Sequence, residues 1–128
     1  MGKISLQLII EEILLKNNIS PSTESYYLKL RMPSHNESLL IGKVGEQILA
    51  GFQNKDLISN PVLAFDYNQG NWFPVRIEQP LGVIICSFFE NGNRMIIPYR
   101  LNKFMLFQKM LVNKIIEQKW LENGVKVE

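Results

Sequence analysis

Residues 64–79 read AFDYNQGNWFPVRIEQ. Ala64, Phe65 and Tyr67 run into NQGN at 68–71, and Trp72, Phe73, Val75 and Ile77 run out of it. Two strand-like runs around a short polar turn predict a β-hairpin. Asp66, Tyr67, Asn71 and Trp72 gather as residues do where two strands meet, so the stretch reads as architecture before it reads as chemistry. Pro74 has no N–H for a sheet ladder, which predicts an edge position or a bulge at that point.

The same pattern extends in both directions. Upstream, in SYYLKLRM (25–32), Tyr26, Leu28, Leu30 and Met32 alternate with Tyr27, Lys29 and Arg31, the period of a sheet with one wet face. LLIGKV (39–44) and QILAGFQ (47–53) follow as strands joined tightly at Gly45 and Glu46, and NKD (54–56) turns the chain into PVLAFDY (61–67). Downstream, GVIICSFFE (82–90) and RMIIPY (94–99) flank NGN, the strongest hairpin signal in the chain. Their nearly unbroken apolar character predicts central strands covered on both faces.

Helices are expected at both ends. In residues 3–17, Leu6, Ile9, Ile10, Ile13 and Leu14 share one face, with Ile4, Leu8 and Leu15 on a narrower second stripe. Residues 100–124 form a long helical pattern stopped by Asn123 and Gly124. Leu101, Phe104, Met105, Leu111, Val112, Ile115 and Ile116 fall within an arc of roughly 140°. Leu106, Phe107, Met110 and Leu121 lie largely opposite. The expectation is one α+β domain over residues 1–128: an N-terminal helix, an antiparallel meander of about seven strands, and a long C-terminal helix packed on it. The sheet is expected either curved or partly closed as a barrel.

Composition narrows function mainly by exclusion. The chain has 128 residues, 46% apolar and 20% charged, with a net charge of +2. Those are the proportions of a folded domain, without the basic stripe of a polyanion binder. Glu11 and Glu12 interrupt the amino-terminal apolar segment, so it reads as a docked helix, and no apolar run reaches the roughly 18–20 residues of a membrane span. The single cysteine, Cys86, sits in an apolar run and reads as an inert core thiol in a reducing, cytoplasmic setting. His35 is the only histidine, in a turn-like stretch, and neither residue has the spaced partners of a metal or catalytic set. No catalytic residue, metal site or cofactor is assigned.

Residues 26–79 carry a likeness. The strand YYLKLRM with its following proline, the D-L-x-x-x-P turn at 56–61 and the W-x-P-V strand at Trp72–Val75 resemble small uncharacterised bacterial domains encoded near antirestriction genes on plasmids and mobile elements. Here NKD stands where a glycine-bearing turn is usual, and Asn60 where an acidic residue precedes the proline. The resemblance transfers no catalytic residue and implies a mobile-element or defence context.

Three functions are carried forward. The first is a non-enzymatic interaction domain that binds a protein, or itself, through Leu106, Phe107, Met110 and Leu121 or through an edge at Trp72 and Pro74. The second binds single-stranded nucleic acid with Tyr27, Arg31, Trp72 and Arg76 on the sheet. The third is a small-ligand protein or enzyme with a pocket between sheet and helices.

Overall fold

A computed structural model describes residues 5–54 and 59–127. Helix α1 spans Leu6–Lys16. Ser5 caps it by accepting a hydrogen bond from the Leu8 N–H at 3.1 Å, which satisfies one of the free donors of the first turn. The five residues of the stronger stripe are buried and Leu8 and Leu15 are exposed, so docking, not propensity, holds this helix. Ile4 lies outside the described residues.

Six strands then meander: β1 (Tyr26–Arg31), β2 (Glu37–Val44), β3 (Gln47–Asn54), β4 (Ser59–Asn68), β5 (Asn71–Gln79) and β6 (Gly82–Ile85). A hairpin, β7 (Ser87–Glu90) and β8 (Asn93–Ile96), precedes helix α2 (Pro98–Glu117), a one-turn helix α3 (Trp120–Asn123) and a short strand β9 (Val125–Lys126). The main sheet runs β6-β5-β4-β3-β2-β1-β9, and β7-β8 form a second sheet. The ends of the main sheet do not pair with each other, so it is curved and open, not a barrel.

Cross-strand partners share a face. Register therefore places Leu28, Ile41, Ala50 and Leu63 in one row and Leu30, Leu39 and Phe52 in another, all buried beneath α1 and α2. The opening hairpin forms as expected but tighter. Asn68 pairs with Asn71, so only Gln69 and Gly70 make the turn, both with positive φ as a two-residue hairpin requires. Pro74 sits beside a register shift between Ala64 and Phe65, which is the bulge alternative.

Two expectations are corrected. The run 82–90 is not one central strand. The Cys86 N–H bonds to the Val75 carbonyl, but the Cys86 carbonyl accepts from Ile97, and opposite the irregular, N–H-less Pro74 the ladder with β5 ends. The chain peels away as β7, and the seventh strand of the main sheet is β9 instead.

The final helix also differs. It begins at Pro98, because proline fits the first helical position where no N–H is needed, and so Pro98 and Tyr99 leave the expected strand. It breaks after Glu117, with Lys119 in the left-handed conformation at φ 60°. The break turns Trp120 into the core, where it is fully buried. Gly124 does not take the left-handed capping conformation. A Cβ there would meet the Trp120 carbonyl oxygen at 2.7 Å, so glycine permits the close return of the chain to β1.

Candidate interaction surface

The β7-β8 hairpin folds back toward β4 and β5 and is fastened by one side chain. Arg94 pairs with Asp66 at 2.8 Å, and its guanidinium lies 4.3 Å from the Phe73 ring centroid and 4.1 Å from that of Phe89. The Ser87 hydroxyl donates to the Pro74 carbonyl at 2.6 Å. These contacts give the hairpin an inner side. On the other side Phe88 and Met95 are cross-strand partners, and both are exposed.

Strand β6 flanks the hairpin. No strand pairs with its outer edge among the described residues. The Ile85 carbonyl accepts from the Arg100 guanidinium at 3.3 Å, so the backbone of Ile85 points away from β5, and by alternation so does that of Val83. Leu81 is fully exposed and Val83 is 56% exposed. Val83 also borders a groove with Tyr99, Arg100 and Lys103 from the start of α2, joining the sheet edge to the helix. Of seventeen exposed large apolar residues among those described, eight fall between Leu81 and Tyr99. Sequence reasoning missed this surface because it assigned the same residues to the core.

The residues expected on α2 divide. Leu106 and Met110 are exposed, whereas Phe107 is half-buried and lines, with Phe52, Leu63 and Lys114, a groove of about 160 Å³ between helix and sheet. That groove is smaller than the ~300–1,000 Å³ of ordinary ligand sites. Lys114 is paired with Glu37 and lies over the Phe52 ring. Leu121 falls beyond the helix break and borders a groove with Leu8 and Ile9 of α1, and its carbonyl accepts from Lys16 at 2.6 Å. It therefore does not extend the Leu106–Met110 face.

Trp72 and Pro74 do not form an open edge. Trp72 is half-buried with its ring 5.2 Å from that of Phe65, its indole N–H is buried without a partner among the described residues, and the Pro74 carbonyl is taken by Ser87. The four residues considered for nucleic acid are not brought together either. Trp72 pairs with Tyr67 on the helix-covered face, and Tyr27, Arg31 and Arg76 lie on the opposite one. Tyr27 and Arg76 are also four strand spacings apart, about 19 Å. Arg76 is engaged with Glu78 at 2.8 Å and Gln47 at 2.9 Å.

A buried polar cluster closes the core near the β4-β5 tip. Lys43 is 4% exposed, donates to the Thr23 carbonyl at 2.9 Å, and lies 4.1 Å from the Tyr67 ring centroid. The Tyr26 hydroxyl is buried without a partner among the described residues, and burial, then Tyr67 and Glu11, push its pKa up to about 12. Gln7 ties α1 to the tip through the Gly70 carbonyl at 2.6 Å. Lys43 shares strand parity with the buried Leu39 and Ile41, a signal that could have placed it inside.

Cys86 is buried, and burial raises its thiol pKa, with Arg100 and Lys103 acting in the opposite direction. The His35 ring packs against that of Trp120, tilted by 47° with centroids 5.8 Å apart. No helix is long and apolar enough to cross a membrane among the described residues. The chain matches no known protein family, no curated protein and no solved structure.

Proposed function

We propose that this chain is a non-enzymatic protein-interaction module whose contact surface is the apolar ground between β6, the outer side of the β7-β8 hairpin and the first half of α2. The observation that carries this reading is the exposure of Leu81, Val83, Ile85, Phe88, Met95 and Tyr99, six of the eight exposed large apolar residues between Leu81 and Tyr99; Phe89 and Ile96 lie on the hairpin's other side with Arg94 and Ser87. Monomeric proteins rarely leave large contiguous apolar patches open to water, and such patches mark contact sites. The expected helix contribution survives as Leu106 and Met110, which follow Tyr99 and Lys103 along the exposed side of α2. The edge contribution moves from Trp72 and Pro74 to β6. The resemblance of residues 26–79 supports a mobile-element or defence context, and the apolar lone cysteine supports a cytoplasmic one.

A photo-crosslinking amino acid placed at Phe88, and in parallel at Tyr27 on the exposed part of β1, tests the reading in living cells. Protein adducts specific to the Phe88 position are expected. Equal adducts at both positions, or none at Phe88, would overturn it.

A further inference from the structure

We infer that a second copy of the chain occupies this surface, joined β6 to β6 in antiparallel register across a two-fold axis at Val83. This inference rests on the interaction reading above and adds the identity of the partner.

The backbone argument comes first. The outward N–H and C=O of Val83 face no strand among the described residues. An antiparallel strand pair is symmetric about a two-fold axis, so an edge with free groups is complementary to its own copy. With the axis at Val83, the two Val83 residues exchange backbone hydrogen bonds. Ile85 then runs past the Gly82 end of the second copy's β6, where the turn that holds Leu81 begins. That brings the fully exposed Leu81 near an apolar residue of the second copy.

Charge is the second argument. Residues 80–89, PLGVIICSFF, contain no ionisable carboxylate, ammonium or guanidinium group. Within the strand itself no like charges meet; the charges a second copy approaches are Arg100 and Lys103, which border the strand from α2. The outer side of α2, by contrast, carries Lys103 and Lys109 beside Leu106, which makes it the poorer self-contact. Natural edge strands are commonly protected by lysine or by an inward charge, and β6 has neither. Among the described residues its edge is bordered by Arg100, which must release the Ile85 carbonyl as the second strand pairs, and by Tyr99 and Lys103 beside Val83.

Area is the third. The exposed parts of Leu81, Val83, Ile85, Phe88, Met95 and Tyr99 amount to on the order of 700 Å², taking ~200 Å² for a large side chain. A standard interface buries about 800 Å² on each partner.

Sedimentation equilibrium of the full chain, with Val83→Lys and Val83→Cys variants, tests the inference. Wild type is expected at twice the single-chain mass of 14.8 kDa. Val83→Lys is expected at the single-chain mass with an unchanged far-ultraviolet circular dichroism spectrum. Val83→Cys is expected to crosslink to itself on mild oxidation, and Leu106→Cys on α2 is not. A wild-type chain that stays monomeric at high micromolar concentration overturns the second copy as occupant, and the Phe88 crosslinks to a different protein would then still uphold the interaction reading. A dimer that survives Val83→Lys, or that crosslinks through Leu106→Cys instead, overturns the β6 register.

Discussion

The rings of Trp120 and Phe52 lie 5.3 Å apart, tilted by 58°, and this contact joins the end of the last helix to the middle of the sheet. It exists because Lys119 turns the chain left-handed. In an unbroken helix, Trp120 would fall about 60° from Met105, on the exposed side. Trp120→Ala is expected to cost about 3–5 kcal/mol in chemical denaturation. Lys119→Gly should stabilise by about 1 kcal/mol, because glycine adopts this conformation without the Cβ penalty. A destabilised Lys119→Gly protein would contradict this account of the helix break.

Gly124 answers a different need. The Cβ of alanine there would press on the Trp120 carbonyl and on Leu30, whose nearest side-chain atom is at 3.1 Å. Gly124→Ala is expected to destabilise by about 1–3 kcal/mol through this overpacking. Exchange protection of β9 should fall with it. Unchanged denaturation midpoints would show that the close approach is relieved at no cost.

Arg94 should act as the fastener of the β7-β8 hairpin. Its planar guanidinium pairs with Asp66 while lying against two rings, a combination lysine does not reproduce. Arg94→Lys is expected to raise hydrogen exchange across residues 87–97 and to leave β2 and β3 protected, a local loss of about 1–3 kcal/mol. Uniform loosening of the whole chain would contradict a local role.

Tyr26 gives the pH dependence. Its folded-state pKa of about 12 lies above the ordinary 10.0, so the neutral phenol is the form the fold favours. The corresponding stability is present in full below pH 10 and is lost as pH rises through 12. Tyr26→Phe removes that slope and also removes a buried hydroxyl that has no partner among the described residues. It should leave neutral-pH stability unchanged or raise it by about 1 kcal/mol. Urea melts of both proteins at neutral and alkaline pH measure the difference. A steeper alkaline loss in Tyr26→Phe would contradict the assignment.

Alternation along β1 to β5 was readable from the residues because long apolar side chains recur at every second position, and parity decides which of them enter the core beneath the helices. The two failures have one kind of cause. GVIICSFFE is apolar at nearly every position, so its pattern cannot show where pairing stops. The stop comes from Pro74, which follows β5's turn and lies twelve residues before Cys86. The break before Trp120 is equally remote in origin, since the ring's destination, Phe52 and His35, belongs to other parts of the chain. Composition showed an excess of apolar residues and assigned part of it to the final helix. Only the departure of β7 from the sheet reveals that more of it lies between Leu81 and Tyr99.

Hydrogen exchange at the single amide of Val83, followed from low to high micromolar concentration, tests the central claim most directly. Closure of the β6 edge by another copy predicts that this amide becomes protected as concentration rises, while amides of β2 stay as they are. An amide that exchanges equally fast at every concentration would mean that the edge stays open, and the account of this surface as a self-contact would be wrong.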